Sequence, residues 1–138
     1  MTPLLLALLT AAPPLTTVAE ESGWLRTGRY EEVERLCAAF PKRYPGKVKC
    51  ERFGVTPLGR PMLMLVASAD GVFTPEQARA KKRPVLLVQG GIHAGEIDGK
   101  DAGFWLLREL LEGKVAPKSL SAVTLVFVPV FNVDGHER

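Results

Sequence analysis

The stretch GGIHAGEIDG pairs a histidine with a glutamate, two side chains of a kind that bind metal. His93 and Glu96 stand three positions apart, directly after an apolar run that ends in Gly90 and Gly91. An imidazole nitrogen and a carboxylate oxygen are ligand types of a catalytic zinc that keeps one position open for water. If the first turn of a helix begins near His93, the spacing puts both side chains on one side of that turn. Gly90, Gly91 and Gly95 remove side chains around the pair, so the backbone can turn tightly and a metal or substrate can approach. Alone, H-x-x-E is a weak signal. Those four letters favour a plainer reading, in which Glu96 stabilises a helix N-terminus and His93 is simply exposed. A second polar turn reverses that preference: after the next long apolar run comes FNVDGHER, in which Asn132, Asp134 and Gly135 have turn chemistry.

The elements that must position these residues follow from hydrophobic periodicity. Tyr30, Val33, Leu36, Cys37 and Phe40 recur at spacings of three and four, which predicts an amphipathic helix with its glutamates facing outward and a stop near Pro41 to Pro45. Residues 47–55 and 61–68 flank Pro57, Leu58 and Gly59 and predict a β-hairpin. The polar stretch 70–83 has room for one or two surface helical turns. Val85 to Gln89 is a short apolar run bounded by proline and glycine, the pattern of a strand buried on both faces. Phe104, Leu107, Leu110 and Leu111 predict a helix over 98–111, and VTLVFVPVF over 123–131 predicts a second internal strand. Strand, helix, strand in that order implies a parallel pair joined by a crossover, hence an α/β class. Open α/β sheets place ligands where loops converge at the carboxyl ends of strands. Both polar loops lie at such ends and are expected to face one cleft.

Length and charge narrow the classes. A chain of 138 residues has the size of one domain, and a net charge of +3 without a concentrated basic stripe argues against a nucleic-acid partner. Lys81, Lys82 and Arg83 read as a solvated loop. Residues 1–19 are apolar, too short to span a bilayer, and end in small residues that suit a signal peptidase, so the expected location is secreted or periplasmic, with a mature chain starting near Glu20. The segment lacks a basic residue near Met1, and a disordered extension is the competing reading. No other stretch is long and apolar enough to be a membrane span. Cys37 and Cys50 allow one disulfide or a pair of buried thiols; neither a C-x-x-C pair nor a nearby histidine favours a zinc site there.

PLGRPM in the hairpin, GGIHAGE after a strand, a helix, and VFNVDG after the next strand together resemble the amino-terminal part of the zinc carboxypeptidases, the M14 metallopeptidases. The resemblance runs from about Tyr30 to Arg138. It implies an α/β fold with a partial mixed, mostly parallel sheet, here about four strands of a family sheet of about eight. It also implies a Zn2+ cofactor, a peptide or amide substrate, and a metal held by two histidines and a glutamate. His93 and Glu96 match the first histidine and the glutamate. Asn132, Asp134 and Gly135 match an N-P-D-G turn beside the substrate cleft, with Val133 where proline is usual. Gly95 stands where digestive members often carry arginine, which leaves metal binding intact and specificity open.

In that family the second histidine, the general-base glutamate and the substrate-binding arginines lie later in the fold, beyond Arg138, so no catalytic residue is expected within this chain. His136 is expected to be an exposed loop residue and is the one candidate for a substitute ligand. The chain reads as part of a longer precursor of a zinc hydrolase. A non-catalytic binding module or pseudoenzyme with the same cleft is the alternative, and within the enzyme class a cell-wall amidase or a deacylase of N-acyl amino acids competes with a carboxypeptidase.

Overall fold

The computed structural model describes residues 14–138. Four strands form one mixed sheet in the order β1-β2-β4-β3. β1 (Val48–Val55) and β2 (Pro61–Ala67) make the expected hairpin, β2 runs antiparallel to β4 (Thr124–Val128), and β4 runs parallel to β3 (Val85–Gln89). The parallel pairing that a crossover requires is thus confined to β3 and β4. Between these two strands lie α4 (Asp98–Leu111) and α5 (Ser119–Ala122). The remaining helices are α1 (Val18–Glu21), α2 (Tyr30–Arg43), α3 (Pro75–Ala80) and α6 (Val133–His136).

The core lies between the sheet and the apolar stripes of α2 and α4. Val33, Leu36, Cys37 and Phe40 from α2 and Phe104 and Leu107 from α4 are buried together with Leu65, Ala67, Leu125 and Phe127 from the strands. Phe104 meets Phe127 edge to face, with ring centroids 5.4 Å apart. A Cβ at Gly103 would lie 2.2 Å from the Phe127 ring, so only glycine lets α4 settle this close to β4. The helix α2 runs on past its expected stop, with Pro41 inside it. In the final turn the missing N–H of Pro41 forfeits one bond. Lys42 and Arg43 favour the negative end of the helix dipole, and the chain leaves the helix at Tyr44.

Cys37 and Cys50 form a disulfide that ties α2 to β1, with Cα atoms 5.2 Å apart. That resolves the pair left open between a bridge and two thiols.

Two expectations about burial are corrected. β3 is not buried on both faces: Val85, Leu86, Leu87 and Val88 are 54, 52, 57 and 39 % exposed, because β3 is an edge strand and its apolar side chains have no layer over them. The glutamates of α2 do not all face outward either, since Glu32 is buried against Lys100 of α4.

Residues 1–13, most of the expected leader, lie outside the described residues. Residues 14–19, also within that leader, pack onto the domain. Leu15, Thr17 and Ala19 are buried, and the Thr17 side chain and Glu20 form a reciprocal capping box on α1. Arg35 donates to the carbonyls of Pro14 and Thr16, and Arg108 donates to the Leu15 carbonyl and pairs with Glu20. No described helix is long and apolar enough to cross a membrane.

Candidate metal site and its two loops

At the carboxyl end of β3 the chain turns twice before α4 begins. His93 and Glu96 stand in this turn rather than on a first helical turn, which starts only at Asp98. The spacing still brings them together. His93 Nδ1 lies 2.8 Å from Glu96 Oε1, the His93 amide donates to Glu96 Oε2 at 3.2 Å, and the Glu96 amide donates back to the His93 carbonyl at 3.3 Å. Hydrogen bonds from the His93 ring and then from its amide hold the Glu96 carboxyl below the usual carboxylate range. Both side chains are open, 76 and 57 % exposed, and a Cβ at Gly95 would meet nothing within 4 Å. A borderline-soft imidazole nitrogen beside a carboxylate oxygen, with free space on their outer side, fits two of the ligands of a zinc ion. A third is not at hand: no group of three or more His, Cys, Asp or Glu side chains among the described residues could hold a metal.

The second polar loop is tied to the first through the backbone. The Phe131 amide donates to the Gly90 carbonyl at 3.0 Å and the Asn132 amide to the Gly91 carbonyl at 2.8 Å. The contact needs both glycines. A Cβ at Gly90 would sit 2.7 Å from the Pro129 carbonyl oxygen, and Gly91, at φ +57°, would press a Cβ to 3.0 Å from Val130 Cα. Two hollows adjoin the loops and share Ile92 in their lining. A hollow of about 300 Å³ is lined by Gly91, Ile92, Glu96 and Asp98, and a separate one of about 340 Å³ by Val55, Met62, Ile92, Phe131, Asn132 and Asp134.

The side chains of the FNVDG turn are engaged within the protein. Asn132 Oδ1 accepts from the Gly135 amide at 3.0 Å and caps α6. Asp134 accepts from Thr56 Oγ1 at 2.9 Å, from the Leu58 amide at 3.1 Å and from Arg60 Nη1 at 2.7 Å, which latches the turn to the tip of the β1–β2 hairpin. Burial pushes the Asp134 carboxyl up, and the bonds from Arg60, Thr56 and Leu58 outweigh it and hold the group below its ordinary value. Val133, where the motif usually has proline, is fully buried, so an apolar contact fixes the turn that proline's ring would otherwise stiffen.

His136 departs from the exposed position expected of it. Its side chain is 5 % exposed, Nδ1 lies 3.0 Å from Glu137 Oε1, and Nε2 is buried without a partner among the described residues. The same Glu137 oxygen accepts from the Tyr30 amide, and Arg29 donates to the His136 and Glu137 carbonyls, which pull the turn onto the start of α2. So placed, His136 joins no group with His93 and Glu96 and is not a substitute ligand among the described residues.

Periodicity missed one cluster beside the site. Lys100 Nζ lies 2.5 Å from Glu32 Oε2 and 2.7 Å from Asp101 Oδ1, all three side chains being buried. A signal was there: Lys100 sits four and seven positions before Phe104 and Leu107, on the apolar stripe of α4, where an unpaired lysine would be costly.

Comparison with known proteins converges on this part of the chain. The family model for zinc carboxypeptidase matches residues 33–138. Carboxypeptidase A4 of Mus musculus is 27 % identical over 124 residues, which covers 85 % of this chain and 28 % of that protein. The inactive metallocarboxypeptidase ECM14 of Saccharomyces cerevisiae is 32 % identical over 99 residues, 69 % of this chain and 22 % of that protein. The crystal structure of carboxypeptidase A from Helicoverpa armigera superimposes with a TM-score of 0.66 at 21 % identity, over 79 % of this chain and 25 % of that one, which shows a shared fold. The chain thus spans about a quarter of the length of these relatives. With a family match across most of its length and the motif loops on adjacent parallel strands, the chain belongs to the zinc carboxypeptidase family.

Proposed function

We propose that this chain is the amino-terminal part of a zinc-dependent metallocarboxypeptidase that hydrolyses peptide or amide bonds, with His93 and Glu96 as two of its metal ligands. The observation that carries the reading is the His93–Glu96 pair, 2.8 Å apart and open to solvent at the end of a parallel strand. A zinc ion held by His93 and Glu96 would supply polarisation of a carbonyl and a lowered pKa of bound water. The chain's own part is to hold one imidazole and one carboxylate at a fixed separation. Gly90 and Gly91 fasten the loop to the FNVDG turn, and Asp134 fastens that turn to the hairpin. Asn132, Asp134 and Gly135 would thus shape the wall of the substrate cleft rather than touch the reacting atoms. The third ligand, the general base and the groups that choose between a peptide C-terminus, a cell-wall amide and an N-acyl amino acid would come from a longer parent chain.

Secretion or export to the periplasm is part of the same proposal, supported by the apolar start of the sequence and by the Cys37–Cys50 disulfide, which suits an oxidising compartment. A non-catalytic reading also has support: the described residues supply only two donors, and one relative carries the name of an inactive metallocarboxypeptidase. Hydrolysis by the full-length parent of a peptide with a free C-terminus, abolished by a chelator and restored by zinc, supports the enzyme. Stoichiometric zinc with no turnover of peptide, amide or acyl substrates would favour the binding module.

A further inference from the structure

The metal loop is held at two points. At its start, the Gly90 and Gly91 carbonyls receive the amides of Phe131 and Asn132. Between there and α4, among the described residues, the bonds of His93 and Glu96 are only to each other. The second hold is Lys100, four residues after Glu96, whose amide donates to the Ile97 carbonyl at 3.1 Å and whose side chain runs inward with no exposed surface. Its Nζ meets Glu32 of α2 and Asp101 of its own helix. Arg35 lies 3.9 Å from Glu32 Oε1 and offsets part of the charge, but both carboxylates still have buried oxygens that need further donors. They find them in the segment before α2. The Val18 amide donates to Glu32 Oε1 at 2.5 Å, and Thr27 Oγ1 donates to Asp101 Oδ2 at 2.6 Å. The stretch that carries Val18 is itself held by Arg35, by Arg108 and by the burial of Leu15, Thr17 and Ala19.

We propose that Lys100 is the positioning residue of the zinc loop, that it acts through the buried Glu32–Asp101 pair, and that the segment Leu15–Glu21 completes this device by closing on Glu32. The proposal rests on the reading of His93 and Glu96 as zinc ligands. It also moves the end of any leader: cleavage before Glu20 would remove the Val18 donor, so the mature chain keeps Leu15.

Zinc affinity of the full-length parent protein, measured by chelator competition with zinc alone as the probe, tests this in variants checked for folding by circular dichroism. Lys100→Met should weaken zinc binding by about tenfold, the lower end of the cost of losing a support bonded directly to a ligand, because Lys100 acts through the backbone and touches neither His93 nor Glu96. Val18→Pro covers the case in which that variant does not fold. Val18 is the first residue of α1, where proline is tolerated, and Thr17 before it is extended, so the change removes little beyond the N–H that reaches Glu32. It should weaken binding about threefold, a little under the tenfold lower bound for a full support. Phe104→Leu, equally buried on α4 but outside the cluster, controls for general destabilisation and should leave affinity unchanged. Wild-type affinity in both Lys100→Met and Val18→Pro, or equal weakening by Phe104→Leu, would overturn the proposal. So would an exported protein that begins at Glu20 and binds zinc as tightly as one that keeps Leu15. A wild-type parent that binds no zinc would instead fail the ligand reading itself, and this inference with it.

Discussion

β3 and β4 are neighbours, parallel and equally apolar, VLLVQ against TLVFV, yet they live in different surroundings. β4 is central, flanked by β2 and β3, and Phe127 packs under Gly103 and Phe104 of α4. β3 lies at the sheet edge and shows about half the surface of its valines and leucines. Apolar composition therefore tells which surface is able to be buried, and position in the sheet tells which surface is. An exposed apolar edge strand also recruits other chains.

The contrast can be broken most forcefully by truncation. Phe127→Ala should destabilise the 138-residue chain by about 3–5 kcal/mol, whereas Leu87→Ala should stay within about 0.5 kcal/mol. Denaturant midpoints measure both. In a longer parent whose added chain covers β3, the cost of Leu87→Ala should rise to about 2–5 kcal/mol, and the tendency of the short chain to associate, read by size-exclusion chromatography, should vanish.

Polar residues allow a parallel comparison. Lys100→Met should cost about 3–5 kcal/mol, because it leaves Asp101 buried without a counter-charge and Glu32 with only the partly exposed Arg35, 3.9 Å away. Lys81→Met, which removes an exposed partner of Asp70, should leave the denaturant midpoint unchanged within error. Replacing both Cys37 and Cys50 by serine should remove about 2–4 kcal/mol, since the bridge closes a short loop between α2 and β1.

The smallest effect separates the two loops. Asp134 has a lowered folded pKa, so its latch on the hairpin is complete above the ordinary carboxylate range and is lost as pH falls through the folded value, below about pH 4. The protection factor of the Leu58 amide, its exchange rate relative to the intrinsic rate at the same pH, should fall over that window in the wild type, and in Asp134→Asn it should be low already at neutral pH and change much less on acidification.

Much of this was legible in the residues. The helix over 98–111 has the bounds that its apolar spacing predicts, and the hairpin strands agree to within a residue. PLGRPM, GGIHAGE and VFNVDG mark three turns that the structure ties to one another. What escaped was whatever depends on a distant partner. Glu32 and Lys100 look like surface charges until α2 and α4 are packed together, and His136 looks exposed until Arg29 and Tyr30 draw its turn inward. Pro41 signals a stop because its missing N–H is a local fact, while the packing of Phe40 and Cys37 that carries the helix past it is not.

Elemental analysis of the full-length parent protein tests the metal pair most directly. One zinc per chain is expected in the wild type, falling to a small fraction of that in His93→Ala and in Glu96→Ala while both variants keep the wild-type circular dichroism spectrum. Undiminished stoichiometric zinc in both variants would contradict the assignment of His93 and Glu96 as ligands.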